Sequence, residues 1–252
     1  VVTIGDYLER IRITSKITPS YDCLALLQLQ HLHTVPFENL DILSGRKIEC
    51  TQEHFLEKIV TRHRGGFCYE LNGAFSWLLR ELGFDITVVS ARVKRDAGGF
   101  GPEFDHFTII AHLGENYLVD VGFGNFSSIP VPMSGRAVAD NIGEYRVWIN
   151  DEYEHAYEQY AEEIWKPNYV FSHVVREIPE FTEMCNYHQT SPDSPFTSKE
   201  VCSILTGEGR RTISGNSLIE TVGDSRSTRD VTDVERNKLL QTTFGIREQI
   251  TR

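Results

Sequence analysis

The 252-residue chain contains no apolar run long enough to span a bilayer, no internal repeat, no low-complexity tract, and no basic stretch followed by an apolar one near its start. These absences point away from a transmembrane helix, a repeat architecture and a secretory leader. Cations are scarce: 25 Lys and Arg against 36 Asp and Glu leave a net charge of −11 with histidines neutral. Such a field repels polyanions, so neither nucleic acid nor an anionic membrane is expected as a partner. Cysteine is sparse too. The five, at 23, 50, 68, 185 and 202, are odd in number and form no CxxC pair, which argues against a disulfide framework and for a reducing, cytoplasmic setting. What remains, 40% hydrophobic and 24% charged, suits one globular unit with ample core material.

The first third reads as helical. Ile4, Tyr7, Leu8 and Ile11 make a short apolar face, Asp22 starts a helix through the run 24–32, and Thr51 starts another that buries Phe55, Leu56, Ile59 and Val60. The clearest stripe, Leu71, Phe75, Leu78, Leu79 and Leu82, stops at Gly83, a natural helix-terminating residue. After Gly83 the pattern turns to strands at 86–93, 107–113, 117–121 and 145–149, with Gly114-Glu115-Asn116 as the turn of a hairpin and short runs continuing to Phe171. Ser191-Pro192-Asp193-Ser194-Pro195-Phe196 is read as turns. Strand-like pieces at 201–205 and 211–213 precede a helix over 232–244, to which Val234, Leu239 and Leu240 contribute apolar contacts.

The segment that carries chemistry is Arg64-Gly65-Gly66-Phe67-Cys68-Tyr69-Glu70-Leu71-Asn72, where a diglycine delivers a cysteine to a helix start. Unpaired N–H groups and the positive end of the helix dipole favour thiolate there, while the glycines permit positive φ and close approach of a ligand. Cys23, Cys50, Cys185 and Cys202 are read as small buried hydrophobes. Two partners suit Cys68. His106 opens one strand of the hairpin and Asp120 closes the other, so antiparallel pairing places both at one edge. Asp120 lies in an apolar run, where a carboxylate needs a partner to offset lost hydration. An imidazole N–H would serve, leaving the other ring nitrogen to take the thiol proton.

Other constellations weigh less. Cys50, His54, His63 and Cys68 lack a compact cysteine pair for zinc, so no metal is expected. Gly98-Gly99-Phe100-Gly101 has no following helix and no GK[ST] ending, which disfavours a nucleotide loop. Arg64 and Glu70 are expected to pair and hold the turn, His112 to face solvent, and Asp105 to add negative charge beside His106.

With these residues in view, the sequence resembles the arylamine N-acetyltransferases. The likeness rests on the block around Cys68, on His106 before an apolar strand, and on Val119-Asp120-Val121-Gly122-Phe123-Gly124. It extends to Val35-Pro36-Phe37-Glu38-Asn39-Leu40-Asp41, to the Ser191–Phe196 stretch and to Phe244-Gly245-Ile246, and so covers nearly the whole chain. The resemblance implies an α+β protein with a cysteine-protease-like core: a helical bundle at 1–84, a β-barrel at 85–190 and an α/β lid at 191–252. It implies Cys68, His106 and Asp120 as a catalytic triad, with Phe37 and Phe123 bordering the acceptor pocket. It also implies acetyl-CoA as donor, with arylamines, hydrazines or hydrazides as acceptors; contacts to coenzyme A stay unassigned. The expected reaction is acetyl transfer through an acetyl-cysteine, in ping-pong order. Two other readings stay open: a thiol hydrolase or amide synthase on the same triad, and a binding module in which the triad is idle.

Overall fold

In the computed structural model, which describes residues 1–149, 154–223 and 225–248, helices hold the first third of the chain and a curled sheet follows. The last four residues of the 191–252 segment lie outside the described set. Helices α1 (Ile4–Arg10), α2 (Tyr21–Thr34), α3 (Leu40–Leu43), α4 (Gln52–Leu56) and α5 (Cys68–Glu81) surround one apolar cluster. Each begins where a side chain can take an orphan N–H. Thr3, Ser20 and Thr51 cap α1, α2 and α4, so α2 starts from Ser20 rather than from Asp22. After α4 the chain widens into a π turn, Glu57–Thr61, which buries Ile59 and Val60 as expected but encloses Lys58 as well. In α5, Leu71, Phe75, Leu78 and Leu79 are fully buried, each contributing about 1.5–3 kcal/mol. The helix ends at Gly83, whose φ of +84° is costly for any other residue.

The larger sheet has eight strands: β2 (Ile86–Val93), β3 (His106–Leu113), β4 (Glu115–Val119), β5 (Val131–Pro132), β6 (Val138–Ala139), β7 (Glu144–Ile149), β8 (His155–Ala161) and β9 (Ile164–Val175). Their order is β5-β4-β3-β2-β9-β8-β7-β6, all antiparallel, and β5 near one edge approaches β7 near the other, giving a nearly closed barrel. Tyr145, Tyr157, Tyr169, Phe171 and Phe126 fill its interior. The β3–β4 hairpin forms with Leu113 opposite Glu115 and Ile109 opposite Val119. β4 stops one residue short of Asp120, because the N–H groups of Gly122 and Phe123 bond to the Asp120 side chain instead of to a strand.

The second sheet joins the two ends of the chain. β1 (Phe37–Glu38) pairs with β10 (Val201–Leu205), followed by β11 (Gly209–Ser214), β12 (Ser217–Val222) and β13 (Ser225–Asp230). Between β9 and β10 in sequence come α6 (Thr182–Thr190) and the short α7 (Pro195–Ser198), and α8 (Asp233–Thr242) is the last helix of the described residues. α6 was not anticipated: its polar sequence, with only Cys185 and His188 buried, carries no stripe to read. Val234 does not pack as expected; it is 82% exposed, and Leu240 provides the contact of α8.

Candidate active site

Cys68 is the first residue of α5 and is buried. The loop before it is held by close packing rather than by unusual dihedrals. Gly65 and Gly66 have no positive φ; a Cβ on Gly65 would stand 1.9 Å from the Pro36 carbonyl oxygen, and one on Gly66 2.7 Å from Glu70 Cβ. The expectation that the diglycine admits a ligand is thereby corrected, since what approaches is the protein's own chain, Gly66 forming a bridge to Phe37.

Charge fixes this loop further. Glu70 accepts the N–H of Phe67 at 3.1 Å, capping the helix on which Cys68 sits, and receives Lys58 Nζ at 2.9 and 3.1 Å. Arg64 does not pair with Glu70 as expected. Its guanidinium reaches Glu38 at 2.8 Å, Asp41 at 3.0 Å and Glu248 at 2.7 Å. Lys58 also meets Asp41 at 2.9 Å. Thus three enclosed carboxylates, Glu38, Asp41 and Glu70, share two enclosed cations. Burial and the neighbouring acids push Glu70 up to about 7 against the pull of Lys58, whereas the two cations bring Asp41 below its ordinary value despite burial. Arg10 adds hydrogen bonds to the carbonyls of Ile59, Thr34 and Arg64, tying α1 to the same loop.

On the barrel side, His106 Nε2 lies 2.6 Å from Asp120 Oδ2. Asp120 is completely enclosed, and four further donors converge on it. The Asn72 side chain (2.7 Å) and the N–H groups of Gly122 (2.8 Å) and Phe123 (2.9 Å) bond to Oδ1, and the Tyr169 hydroxyl (3.0 Å) bonds to Oδ2. Burial alone would raise this carboxyl; the charge and hydrogen bond of His106, with the other donors, bring it below its ordinary value. Asn72 is the residue that sequence reasoning missed. It stands one turn after Cys68 on the same face of α5, gives its amide to Asp120 and to the Phe107 carbonyl, and accepts the N–H of Val121. Its signal was a polar residue on an otherwise buried helix face.

Cys68, His106, Phe37 and Phe123 line one cavity of about 440 Å³, joined there by Phe196, Tyr187, His188, Asp105 and the exposed pair Lys94 and Arg95. Phe123 stands edge-on to His106, ring centres 5.4 Å apart, and Phe37 packs near Phe196. With Nε2 committed to Asp120, Nδ1 of His106 is the nitrogen left for proton exchange with a group in the cavity. The Cys68 thiol is pushed up by burial, then by the charges of Asp120 and Asp105; the backbone N–H groups of Phe107 and Tyr69 pull it the other way. Burial and these charges thus oppose the pull of the helix start.

Asp105 turns from His106 toward α6, where it meets His188 Nε2 at 3.1 Å. His112 does not face solvent freely: it bonds to the Thr87 hydroxyl and to the Asn116 side chain, both at 2.8 Å. Cys50, His54, His63 and Cys68 do not assemble, and among the described residues no group of three or more such side chains could hold a metal. All five cysteines are free thiols. No helix among the described residues is long and apolar enough to cross a membrane.

A family model described as N-acetyltransferase matches residues 20–251. The chain belongs to the arylamine N-acetyltransferase family. Members of this transferase family similar to it include the pineal gland isozyme NAT-10 of Gallus gallus, 33% identical with 86% of this chain and 84% of the relative covered. The arylamine N-acetyltransferase of Mycolicibacterium smegmatis is 30% identical, covering 85% of this chain and 81% of the relative. Among solved structures, the arylamine N-acetyltransferase (BACCR)NAT3 of Bacillus cereus superimposes with a TM-score of 0.89 at 28% identity, covering 98% of this chain and 99% of that one. That enzyme is described as having a Cys-His-Glu triad; in the present acetyltransferase-family chain the carboxylate bonded to the cavity histidine belongs to an aspartate, Asp120.

Proposed function

We propose that the chain transfers the acetyl group of acetyl-CoA to the nitrogen of an arylamine, hydrazine or hydrazide, through an acetyl-cysteine at Cys68 in ping-pong order. The observation that carries this reading is a cysteine at a helix start on the same cavity as a histidine whose far nitrogen is held by an enclosed carboxylate. In this reading the nucleophile comes from the unit 1–84, its histidine and carboxylate from 85–190, and 191–252 forms the lid.

In the first half-reaction the Cys68 proton passes to Nδ1 of His106, and the sulfur attacks the thioester carbonyl. The imidazolium so formed lies against Asp120, which keeps it charged and oriented. The oxyanion of the tetrahedral intermediate is met by N–H groups of the first turn of α5, which have no partner within the helix. As the intermediate collapses, the bond to the coenzyme sulfur breaks and His106 returns its proton to the departing thiolate. In the second half, the amine adds to the acetyl-cysteine, His106 takes its proton, and the Cys68 sulfur leaves as the amide forms. Thioester exchange is nearly isoenergetic, whereas aminolysis runs downhill. Phe37 and Phe123 offer flat apolar faces to an aromatic acceptor.

The test is intact mass spectrometry with acetyl-CoA alone. One added acetyl group mapping to Cys68, lost on adding an aromatic amine or hydrazide with formation of its amide, supports the reading. Transfer to water at equal speed would replace it with a hydrolase, and absence of acetylation would reject it.

A further inference from the structure

Asp105 has one of its two oxygens on His188 of α6, at 3.1 Å, and the other on the N–H of Val93 at 3.3 Å. Its side chain is 11% exposed and that of His188 only 6%. The carboxylate is pinned from behind as well, since a Cβ on Gly101 would stand 2.1 Å from Oδ2. The other ring nitrogen of His188, Nδ1, faces the Ser194 hydroxyl at 3.2 Å. Ser194 Oγ in turn lies 3.0 Å from the His188 carbonyl oxygen, to which it donates, and accepts the N–H of Phe196. Ser194 has a single proton, so the arrangement that satisfies every contact has both ring nitrogens of His188 donating: Nε2–H to Asp105 and Nδ1–H to Ser194. Such a donor set belongs to the doubly protonated ring. A neutral ring would forfeit one of these bonds in a setting where unmade bonds are costly.

The pair borders the cavity that holds Cys68. Forming a thiolate there beside an uncompensated Asp105 would place two negative charges on side chains that water barely reaches. We propose that His188 is a charge-neutralising positioning residue: as an imidazolium it cancels Asp105 and so permits the Cys68 thiolate to form. This rests on reading Cys68 as the nucleophile.

Other ionisable groups do not duplicate that role. On the barrel side of the cavity stands His106, which is committed to Asp120. Across the cavity Lys94, Arg95 and Asp96 stand on the loop after β2, with Asp193 beyond α6; all four are exposed, and water screens them. The phenols of Tyr69 and Tyr187 flank His188, and Cys185 on the same helix faces Cys50.

The experiment follows alkylation of Cys68 by iodoacetamide across pH, by peptide mapping, in the wild type, His188→Gln, Asp105→Asn and the double variant. Gln can keep the bond to Asp105 but carries no charge. For His188→Gln the expected midpoint of reactivity rises by about one pH unit, roughly a tenfold slower reaction at neutral pH. Asp105→Asn should lower the midpoint or leave it at the wild-type value, and should restore the wild-type midpoint when added to His188→Gln. Wild-type Cys68 reacting no faster than the half-buried Cys23 would overturn the nucleophile reading itself. A reactive Cys68 with an unchanged midpoint in His188→Gln would overturn the role of His188 alone, as would a slowed single variant that Asp105→Asn fails to rescue. If His188→Gln does not fold, Asp105→Asn decides: a raised midpoint there contradicts the proposal.

Discussion

Two fully enclosed carboxylates serve the helix that carries Cys68, and they are shifted in opposite directions. Asp120 falls below its ordinary value and Glu70 rises to about 7, although both begin with the same penalty of burial. The difference lies in what each must share. Asp120 has five donors and no acid competing for them. Glu70 shares Lys58 with Glu38 and Asp41, and among the described residues the three acids face only Lys58 and Arg64 as enclosed cations. Equal burial therefore does not set the direction in which these two carboxylates shift; what each can claim from its neighbours does, as Asp41, served by both Lys58 and Arg64, falls within the same network in which Glu70 rises. Asp120 is held as an anion, as a partner for an imidazolium must be, while Glu70 is held as a cap.

Replacing the better-served carboxylate should have the largest consequence. Asp120→Asn removes the charge and presents an NH₂ to neighbours that are themselves donors, so His106 loses both orientation and counter-charge. Acetyl transfer should fall on the order of 10³–10⁴-fold in kcat, with acceptor KM changed little. A loss under tenfold in a variant with wild-type circular dichroism would break the comparison, because Asp120 would then be no more than a structural anchor. Asp120→Glu keeps the charge and should recover part of the rate.

The shared cation is the next point of attack. Lys58→Met leaves Glu70, Asp41 and Glu38 with Arg64 as their one enclosed cation among the described residues, Arg46 reaching Asp41 only from the exposed side at 3.9 Å. A stability loss of about 3–5 kcal/mol by urea denaturation is expected, with Glu70 shifted further upward. Little change in stability would mean that water enters the network and that the donor ratio is not what governs it.

How much of this was legible in the sequence divides along contact distance. The start of α5 at Cys68, its end at Gly83, and the hairpin that brings His106 and Asp120 to one edge all follow from local pattern. Arg64 could not be paired correctly because its partners come from positions 38, 41 and 248, brought in by a sheet that joins the two ends of the chain. His112 looked solvent-facing from strand alternation, yet its partners Thr87 and Asn116 stand on neighbouring strands. For Asp105 the sequence showed only its adjacency to His106; its hydrogen-bonding partner His188 lies 83 residues further on, on α6, and could not be read locally.

Glu70→Gln sharpens the comparison through pH. The Glu70 carboxyl has its ordinary value near 4.5 in the unfolded chain and about 7 in the folded one. Between those values the folded state holds the proton that the unfolded state has released, so this group's contribution to stability is full below pH 4.5 and is lost as pH rises toward 7. Asp120 has the opposite sign: its contribution is present above its ordinary value of 3.8 and is lost as pH falls through the lower folded value. The gap in stability between wild type and Glu70→Gln should therefore shift, to the wild type's disadvantage, by on the order of 1–3 kcal/mol between pH 4.5 and 7. A gap that stays flat over that interval would place Glu70 with Asp120 as a permanently ionised group.

The smallest effect tests whether the five donors on Asp120 act as separate parts. Tyr169→Phe removes a single hydroxyl, 3.0 Å from Asp120 Oδ2 and 3.3 Å from Thr108 Oγ1, and leaves the ring packed against His106 and Phe123. One hydrogen bond to a charged group contributes about 1.5–3 kcal/mol, and four donors remain to take up the charge. The expected cost is at the lower end, roughly tenfold in kcat. It should be accompanied by a rise in the pH below which stability falls away, because the carboxylate is then less strongly held. A loss as large as that of Asp120→Asn would mean the donors work as one unit, in which the hydroxyl fixes the only geometry that His106 can use.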